Sequence, residues 1–298
     1  MEDLNPGSAV SPTALAGQSL RWGQEGCSGG EGVILLLCGS FNPVTRAHLE
    51  LVAHGAAAVP GGGAGPSCAG SVLSPVHDAY GKPGLAPGAE RVAMCRLAVE
   101  GGGGAVASVP VAVDAWEASR DGYSTTVDVL RRVRDVANAA LEGERARRIS
   151  AGADGRAGLF DRFRVMLLCG EDLLASFLNP GVWVEAHVRE ILSDAFGVVC
   201  VARSGEGAEA EADGKGGSAS GLGRLERLVQ ENALLRQSAS HVRCVPGGGP
   251  TLDGVSSTRV RGMLRQLGPG ADLPESLLDL VEPAVARHAL AHGLYAAA

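Results

Sequence analysis

The chain has 298 residues and a formal net charge of −7, with 45% of its residues apolar and 20% charged. That balance supports a buried core and excludes wholesale disorder. An acidic chain without a basic stripe also lacks the clustered Lys and Arg that grip a nucleic-acid backbone, so no nucleic-acid partner is expected.

Residues 1–30 open with Met1-Glu2-Asp3 and hold no apolar core of signal-peptide length; they read as a disordered leader. No apolar stretch approaches the ~20 residues of a membrane span. Seven cysteines, with no Cys-x-x-Cys pair, argue for free thiols in a reducing compartment and against a disulfide framework or zinc site. The expectation is a soluble intracellular protein, cytoplasmic or nuclear rather than organellar, without a membrane partner. Homo-oligomer formation stays open.

Residues 33–37 form a short apolar run ending at Cys38-Gly39 and read as a buried strand. Residues 45–58 place Leu49, Val52 and Ala53 on one side of a helix. Residues 59–70, rich in Gly, Ala and Ser, read as a flexible insertion. Residues 90–99 carry Val92, Met94, Leu97 and Ala98 in an amphipathic helix. Residues 108–113 form a second strand, placed near an edge by Pro110. Residues 125–141 repeat Val127, Leu130, Val133 and Val136 at helical spacing, and 142–160 read as another insertion.

Residues 163–168 are a strand ending at Cys169-Gly170, and 197–202 and 241–245 complete the strands. An acidic, glycine-rich insertion is expected over 204–222, and helices over 221–235, 257–267 and 274–291. Strands alternating with helices predict an α/β, doubly wound, Rossmann-like parallel sheet forming a single domain over residues 31–298.

The end of the first strand carries the chemistry. In an open parallel sheet, ligands sit at the carboxyl ends of strands beside helix N-termini. Gly39 lets the backbone approach a ligand, Pro43 stiffens the turn, and Thr45 suits a helix start. His48 then falls in the first helical turn, at the end that attracts anions. The Gly-x-Gly-x-x-Gly dehydrogenase fingerprint is absent, since only Gly39 is present. A Walker loop is absent too: around Lys215, Glu209 stands at the first glycine place and Gly216 at the Ser/Thr place.

A second anion site is expected near the C-terminus. Ser257 or Thr258 is placed to cap the helix that follows, and Arg261 adds a planar fork of donors suited to phosphate oxygens. Together these groups make a cradle for a triphosphate.

Residues 39–48 resemble the Gly-x-Phe-x-Pro-x-[His/Thr]-x-x-His motif of the nucleotidyltransferase superfamily, and residues 255–261 its Ile-Ser-x-Thr-x-x-Arg motif. Three further stretches, 74–82, 114–117 and 168–177 with Trp183, make the chain similar to the eukaryotic-type nicotinamide/nicotinate mononucleotide adenylyltransferases. The resemblance spans about residues 33–295. It implies a nucleotidyltransferase-type fold, ATP and a pyridine mononucleotide as partners, and Mg²⁺ held mainly by substrate phosphates with no dedicated protein ligands.

The resemblance also implies roles. His48 and Arg261 would hold the ATP phosphates and act in catalysis, with Ser257, Thr258 and Arg259 beside them. Gly39, Ser40 and Phe41 would line the cleft where the nucleotides meet, and Gly170 and Asp172 would lie by the adenosine. Tyr80, Lys82, Trp116 and Trp183 would serve the mononucleotide, Lys82 at its phosphate and the tryptophans at its ring. Gly81 and Pro83 stand where relatives carry further lysines, and residues 247–254 depart from the family pattern. Two rival readings are another small-molecule adenylyl- or cytidylyltransferase and a catalytically silent, chaperone-like nucleotide-binding module.

Overall fold

In the computed structural model, residues 20–23, 29–59, 66–101, 106–203, 221–248 and 254–296 are described. Six strands form the sheet: β1 (Glu31–Gly39), β2 (Ser67–Pro75), β3 (Val111–Val113), β4 (Arg162–Gly170), β5 (Val198–Val201) and β6 (Val242–Val245). Their order is β3-β2-β1-β4-β5-β6, and every neighbouring pair is parallel. A parallel sheet covered on both faces needs strands that are apolar throughout, which is why residues 33–37 form an unbroken run.

The helices are α1 (Arg46–Ala58), α2 (Gly88–Gly101), α3 (Trp116–Ser119), α4 (Thr126–Ser150), α5 (Glu171–Ser176), α6 (Glu185–Ile191), α7 (Gly221–Glu231), α8 (Ala233–Gln237), α9 (Ser257–Leu264), α10 (Glu275–Leu278) and α11 (Pro283–Ala291). Because side chains alternate along a strand, β1 feeds two cores. Ile34 and Leu36 pack with Val127, Leu130 and Val133 of α4. Val33, Leu35 and Leu37 pack with Leu49 and Val52 of α1, Met94 of α2 and Val285 of α11. Among the described residues, no helix is long and apolar enough to cross a membrane.

Several elements differ from the sequence expectation. Residues 67–70, expected within an insertion, begin β2. Ser67-Cys68-Ala69-Gly70-Ser71 has no apolar run to announce it. Small residues are nevertheless demanded there: a Cβ on Gly70 would lie 2.8 Å from the Pro110 carbonyl oxygen. β3 starts at Val111, after Pro110, whose carbonyl accepts from Ser71 N–H at 2.8 Å.

Helix α4 continues to Ser150, through residues expected to form an insertion, on ion pairs one turn apart: Glu144 with Arg147 and Arg148, and Glu142 with Arg145. The expected helix 221–235 is divided at Asn232, whose side chain caps α8. The expected helix 274–291 divides into α10 and α11, with Pro283 at the start of the latter.

Part of the expected leader is docked. Leu20 is buried, Arg21 N–H donates to the Ala69 carbonyl, and Trp22 lies against Phe163. An apolar Leu and Trp two positions apart suffice to anchor that short segment. Residues 1–19, 24–28, 204–220 and 249–253, on which other expectations fell, lie outside the described residues.

β1 and β4 are neighbours at the centre of the sheet, and from them the chain winds outward in opposite directions. Such a switch point opens a crevice at the carboxyl ends of its two strands. Those ends are Gly39 and Gly170.

Candidate active site

The turn after β1 is tightly built. A Cβ on Gly39 would meet the Phe41 ring at 3.3 Å. Phe41 is buried and held at φ +43°, a backbone region that L residues rarely occupy and that recurs at functional sites. Asn42, also buried, donates from Nδ2 to the Gly84 carbonyl at 2.9 Å and accepts at Oδ1 from Ala86 N–H at 3.0 Å. It therefore ties the turn to the loop that carries Lys82.

His48 stands three residues into the segment opened by Thr45. The Thr45 backbone N–H donates to His48 Nδ1 at 3.0 Å, and Thr45 Oγ1 lies 2.8 Å from the same nitrogen. Because Nδ1 accepts, the ring proton belongs on Nε2, leaving that N–H available as a donor. The ring packs edge-on to Phe41, with centroids 5.2 Å apart. Burial lowers its pKa to about 4. The imidazole is a neutral donor at physiological pH. The first backbone N–H of α1, that of Arg46, is already engaged by the Leu280 carbonyl at 2.9 Å.

The second motif docks onto the first. Ser256, rather than Ser257 or Thr258, caps α9 by accepting from Arg259 N–H at 3.2 Å. The reason is register: α9 begins at Ser257, so the residue before it holds the extended backbone a cap requires. Ser257 is free for another task and donates from Oγ to the Pro43 carbonyl at 2.8 Å. Arg261 donates from Nη1 to the Asn42 carbonyl at 2.8 Å and from Nη2 to Thr258 Oγ1 at 3.1 Å. Arg259 remains exposed, with a long 3.5 Å contact to the Gly254 carbonyl. His48 and Arg261, far apart in sequence, are thus held against one turn.

Beside that turn lies a cleft of about 440 Å³ at the strand ends, within the range of small-molecule sites. Its walls include Gly39 at the end of β1 and Ser40 beyond it, Asp172 and Ser176 on α5, and Tyr80 and Trp183. Trp183 donates from Nε1 to Ser176 Oγ at 3.0 Å and packs edge-on against Phe177, which fixes its ring plane. Asp172, in the first turn of α5, pairs with Arg203 at the exposed edge. Tyr80 and Lys82 are exposed on the loop after β2, where Gly81 adopts φ +70° to end a single 3-10 turn. A second cavity, about 250 Å³ and lined by Ala53, Ala56, Cys68 and Pro110, lies at the opposite ends of the strands.

Trp116 is placed differently from Trp183. It packs against the core beneath the guanidiniums of Arg120 and Arg132, 4.6 and 4.8 Å from its ring centroid, and it does not line the cleft. Its neighbour Glu117 does. That carboxylate is nearly fully buried and accepts from Ser74 Oγ at 3.0 Å. Burial, opposed by the Ser74 hydrogen bond and reinforced by the nearby Asp114 charge, raises its pKa to about 7. Asp114 is itself buried and salt-bridged to Arg132.

The sequence motifs gave no role to Asn42, Asp114 or Glu117, although all three lie within them, and they left out Arg91 altogether. Arg91 is wholly buried. Its guanidinium donates to the carbonyls of Ala86 at 2.8 Å, Ser40 at 3.0 Å and Val76 at 2.6 Å, and pairs with Asp78 at 2.7 Å. It ties the turn after β1, through Ser40, to both ends of the connection between β2 and α2, through Val76 and Ala86. Helical spacing held a clue, because Arg91 shares the face of Met94, Cys95 and Ala98, where a charge is retained only with partners.

No protein-family model matches the chain. Among curated proteins it is 35% identical over 245 residues to a nicotinamide/nicotinic acid mononucleotide adenylyltransferase of Oryza sativa subsp. japonica, covering 82% of this chain and 80% of that one. It is 31% identical to the protein of that name from Arabidopsis thaliana, covering 77% and 78%. Among solved structures, a Plasmodium falciparum nicotinic acid mononucleotide adenylyltransferase complexed with NaAD superposes with a TM-score of 0.55 at 12% identity, covering 89% of this chain and 97% of that one. At that identity the superposition establishes the fold, a nucleotidyltransferase-type α/β sheet. The extent of the sequence match establishes more: the chain belongs to the nicotinamide/nicotinic acid mononucleotide adenylyltransferase family.

Proposed function

We propose that this chain performs the reaction for which its family is named, transferring the adenylyl group of ATP to nicotinamide or nicotinate mononucleotide, forming the dinucleotide and releasing pyrophosphate. The observation that carries the assignment of residues is the docking of Arg261 and His48 onto one turn, beside a cleft walled by Trp183 and Tyr80.

The nucleophile is a phosphate oxygen of the mononucleotide, anionic at neutral pH, so the reaction needs no general base. What it needs is the alignment of two polyanions and stabilisation of the leaving pyrophosphate. His48 supplies a neutral Nε2–H donor, and Arg261 a guanidinium already held by the Asn42 carbonyl and Thr258. Donors fixed before reaction cost no reorganisation as charge develops. Lys82 receives the mononucleotide phosphate, and Trp183 flanks the pyridine ring. An imidazole N–H and a guanidinium suit phosphate oxygens and not a hard cation. Mg²⁺ would enter with ATP, held mainly by the triphosphate oxygens, and would neutralise the charge that develops on the leaving pyrophosphate.

Incubating the protein with Mg·ATP and a panel of phosphorylated acceptors tests this reading. Pyrophosphate release is expected with both pyridine mononucleotides and not with pantetheine phosphate or phosphoalcohols. Release with one of the latter alone would assign the site to a different transferase.

A further inference from the structure

We propose that Glu90, His288 and His292 form a binding site for one transition-metal dication of the Zn²⁺ class, on the outer seam between α2 and α11. His288 and His292 are four residues apart, so both imidazoles project from one side of the helical turn. They stack with centroids 4.1 Å apart and an interplanar angle of 23°. Glu90, in the first turn of α2, faces both. Its Oε2 lies 2.7 Å from His288 Nε2 and 3.2 Å from His292 Nδ1.

The ligand atoms of the three side chains all lie within 4.8 Å of one another. Tetrahedral zinc, with bonds of about 2.0–2.1 Å, sets its nitrogen and oxygen ligands about 3.3 Å apart, so side-chain rotation alone closes the geometry. Two imidazoles and a carboxylate select Zn²⁺, Co²⁺, Ni²⁺ or Cu²⁺ over Mg²⁺ and Ca²⁺, which prefer oxygen cages. Three protein ligands leave a fourth position for water. The cluster is open to solvent at His292, whose side chain is 48% exposed against 16% for His288. The site lies apart from the cleft but is coupled to it through one peptide bond: Arg91, next to Glu90, clamps the carbonyls of Ser40, Val76 and Ala86. A bound ion would cross-link α11 to the helix that organises those loops.

The test is calorimetric titration of the full-length, untagged protein with Zn²⁺. One ion per chain is expected, with Mg²⁺ unable to compete. Thermal denaturation should shift up by about 5 °C when free Zn²⁺ exceeds Kd about a hundredfold. His292→Asn and Glu90→Gln should each weaken binding at least tenfold, roughly one strong ligand's worth. The Co²⁺ form of the unmutated protein gives a readout that needs no variant: visible d–d bands without a thiolate charge-transfer band. Absence of uptake at Zn²⁺ up to about 100 μM, affinity unchanged in both folded variants, or a cobalt–thiolate band would each overturn the proposal.

Discussion

Arg261 Nη1 and the carbonyl oxygen of Asn42 stand 2.8 Å apart although 219 residues separate them in the chain. That bond joins the turn after β1 to helix α9 and fixes the direction of the guanidinium. Its second branch, to Thr258 Oγ1, fixes the plane. Arg261→Ala is expected to lower kcat/KM by about a hundredfold, on the order of 3 kcal/mol of transition-state stabilisation, with a melting temperature close to that of the parent. Arg261→Lys should recover little, because an ammonium cannot reproduce a two-branched fork. Initial rates of pyrophosphate release, read beside thermal melts, check both; wild-type turnover in either variant would remove Arg261 from the mechanism.

Asn42 makes the complementary prediction. Asn42→Ala removes the partners of the buried Ala86 N–H and of the exposed Gly84 carbonyl, costing about 1–3 kcal/mol, chiefly for the N–H that water does not reach. The Lys82 loop would lose its anchor, so KM for the mononucleotide should rise more than KM for ATP. Urea denaturation gives the first quantity and two-substrate kinetics the second. An equal rise in both KM values would mean that Asn42 shapes the turn without holding the loop.

His48 should be silent in the pH–rate profile between about pH 5.5 and 8, because burial lowers its pKa to about 4 and keeps it neutral throughout. His48→Ala should reduce kcat by about a hundredfold without introducing or removing a limb in that window. An acidic limb near pH 6.5 that disappears in the variant would show that the imidazole titrates, and would defeat the neutral-donor role.

Glu117 behaves oppositely. Its folded pKa of about 7 lies above the ordinary carboxylate value, mainly through burial. The folded state therefore binds the extra proton between about pH 4.5 and 7, and the stability this contributes is lost as pH rises through that range. Glu117→Gln should flatten the decline and leave the protein more stable at pH 8 by on the order of 2–3 kcal/mol. Deprotonation also places a negative charge in the cleft wall. Preference for the amide over the acid mononucleotide should grow as pH rises through 7, and the Gln variant should lose that trend. Urea midpoints and paired kcat/KM values across pH 6–8.5 decide; a pH-independent preference in the parent would exclude Glu117 from ring-substituent recognition.

Legibility followed the range over which each feature is encoded. β1 announced itself through five consecutive apolar residues, and α1 and the N-terminal part of α4 through helical periodicity. β2 did not, because Ser67 to Ser71 are small for the sake of neighbours, such as Pro110, that lie elsewhere in the sequence. The continuation of α4 to Ser150 was hidden because it rests on charge pairs rather than an apolar stripe. The cap falls on Ser256 rather than on the expected Ser257 or Thr258, since it depends on where the backbone turns.

The sequence by itself determined the class of sheet and the local build of the segments at residues 33–49 and 255–264, because a strand, a turn and a helix start are written within about a dozen adjacent residues. Only the tertiary structure decided how those segments meet. The Arg261–Asn42 bond, the Arg91 clamp, the screening of Trp116 by Arg120 and Arg132, and the raised pKa of Glu117 all arise from burial and from partners supplied by separate elements. A side chain's charge state and aim are set by what surrounds it, and that environment exists only once the chain has closed.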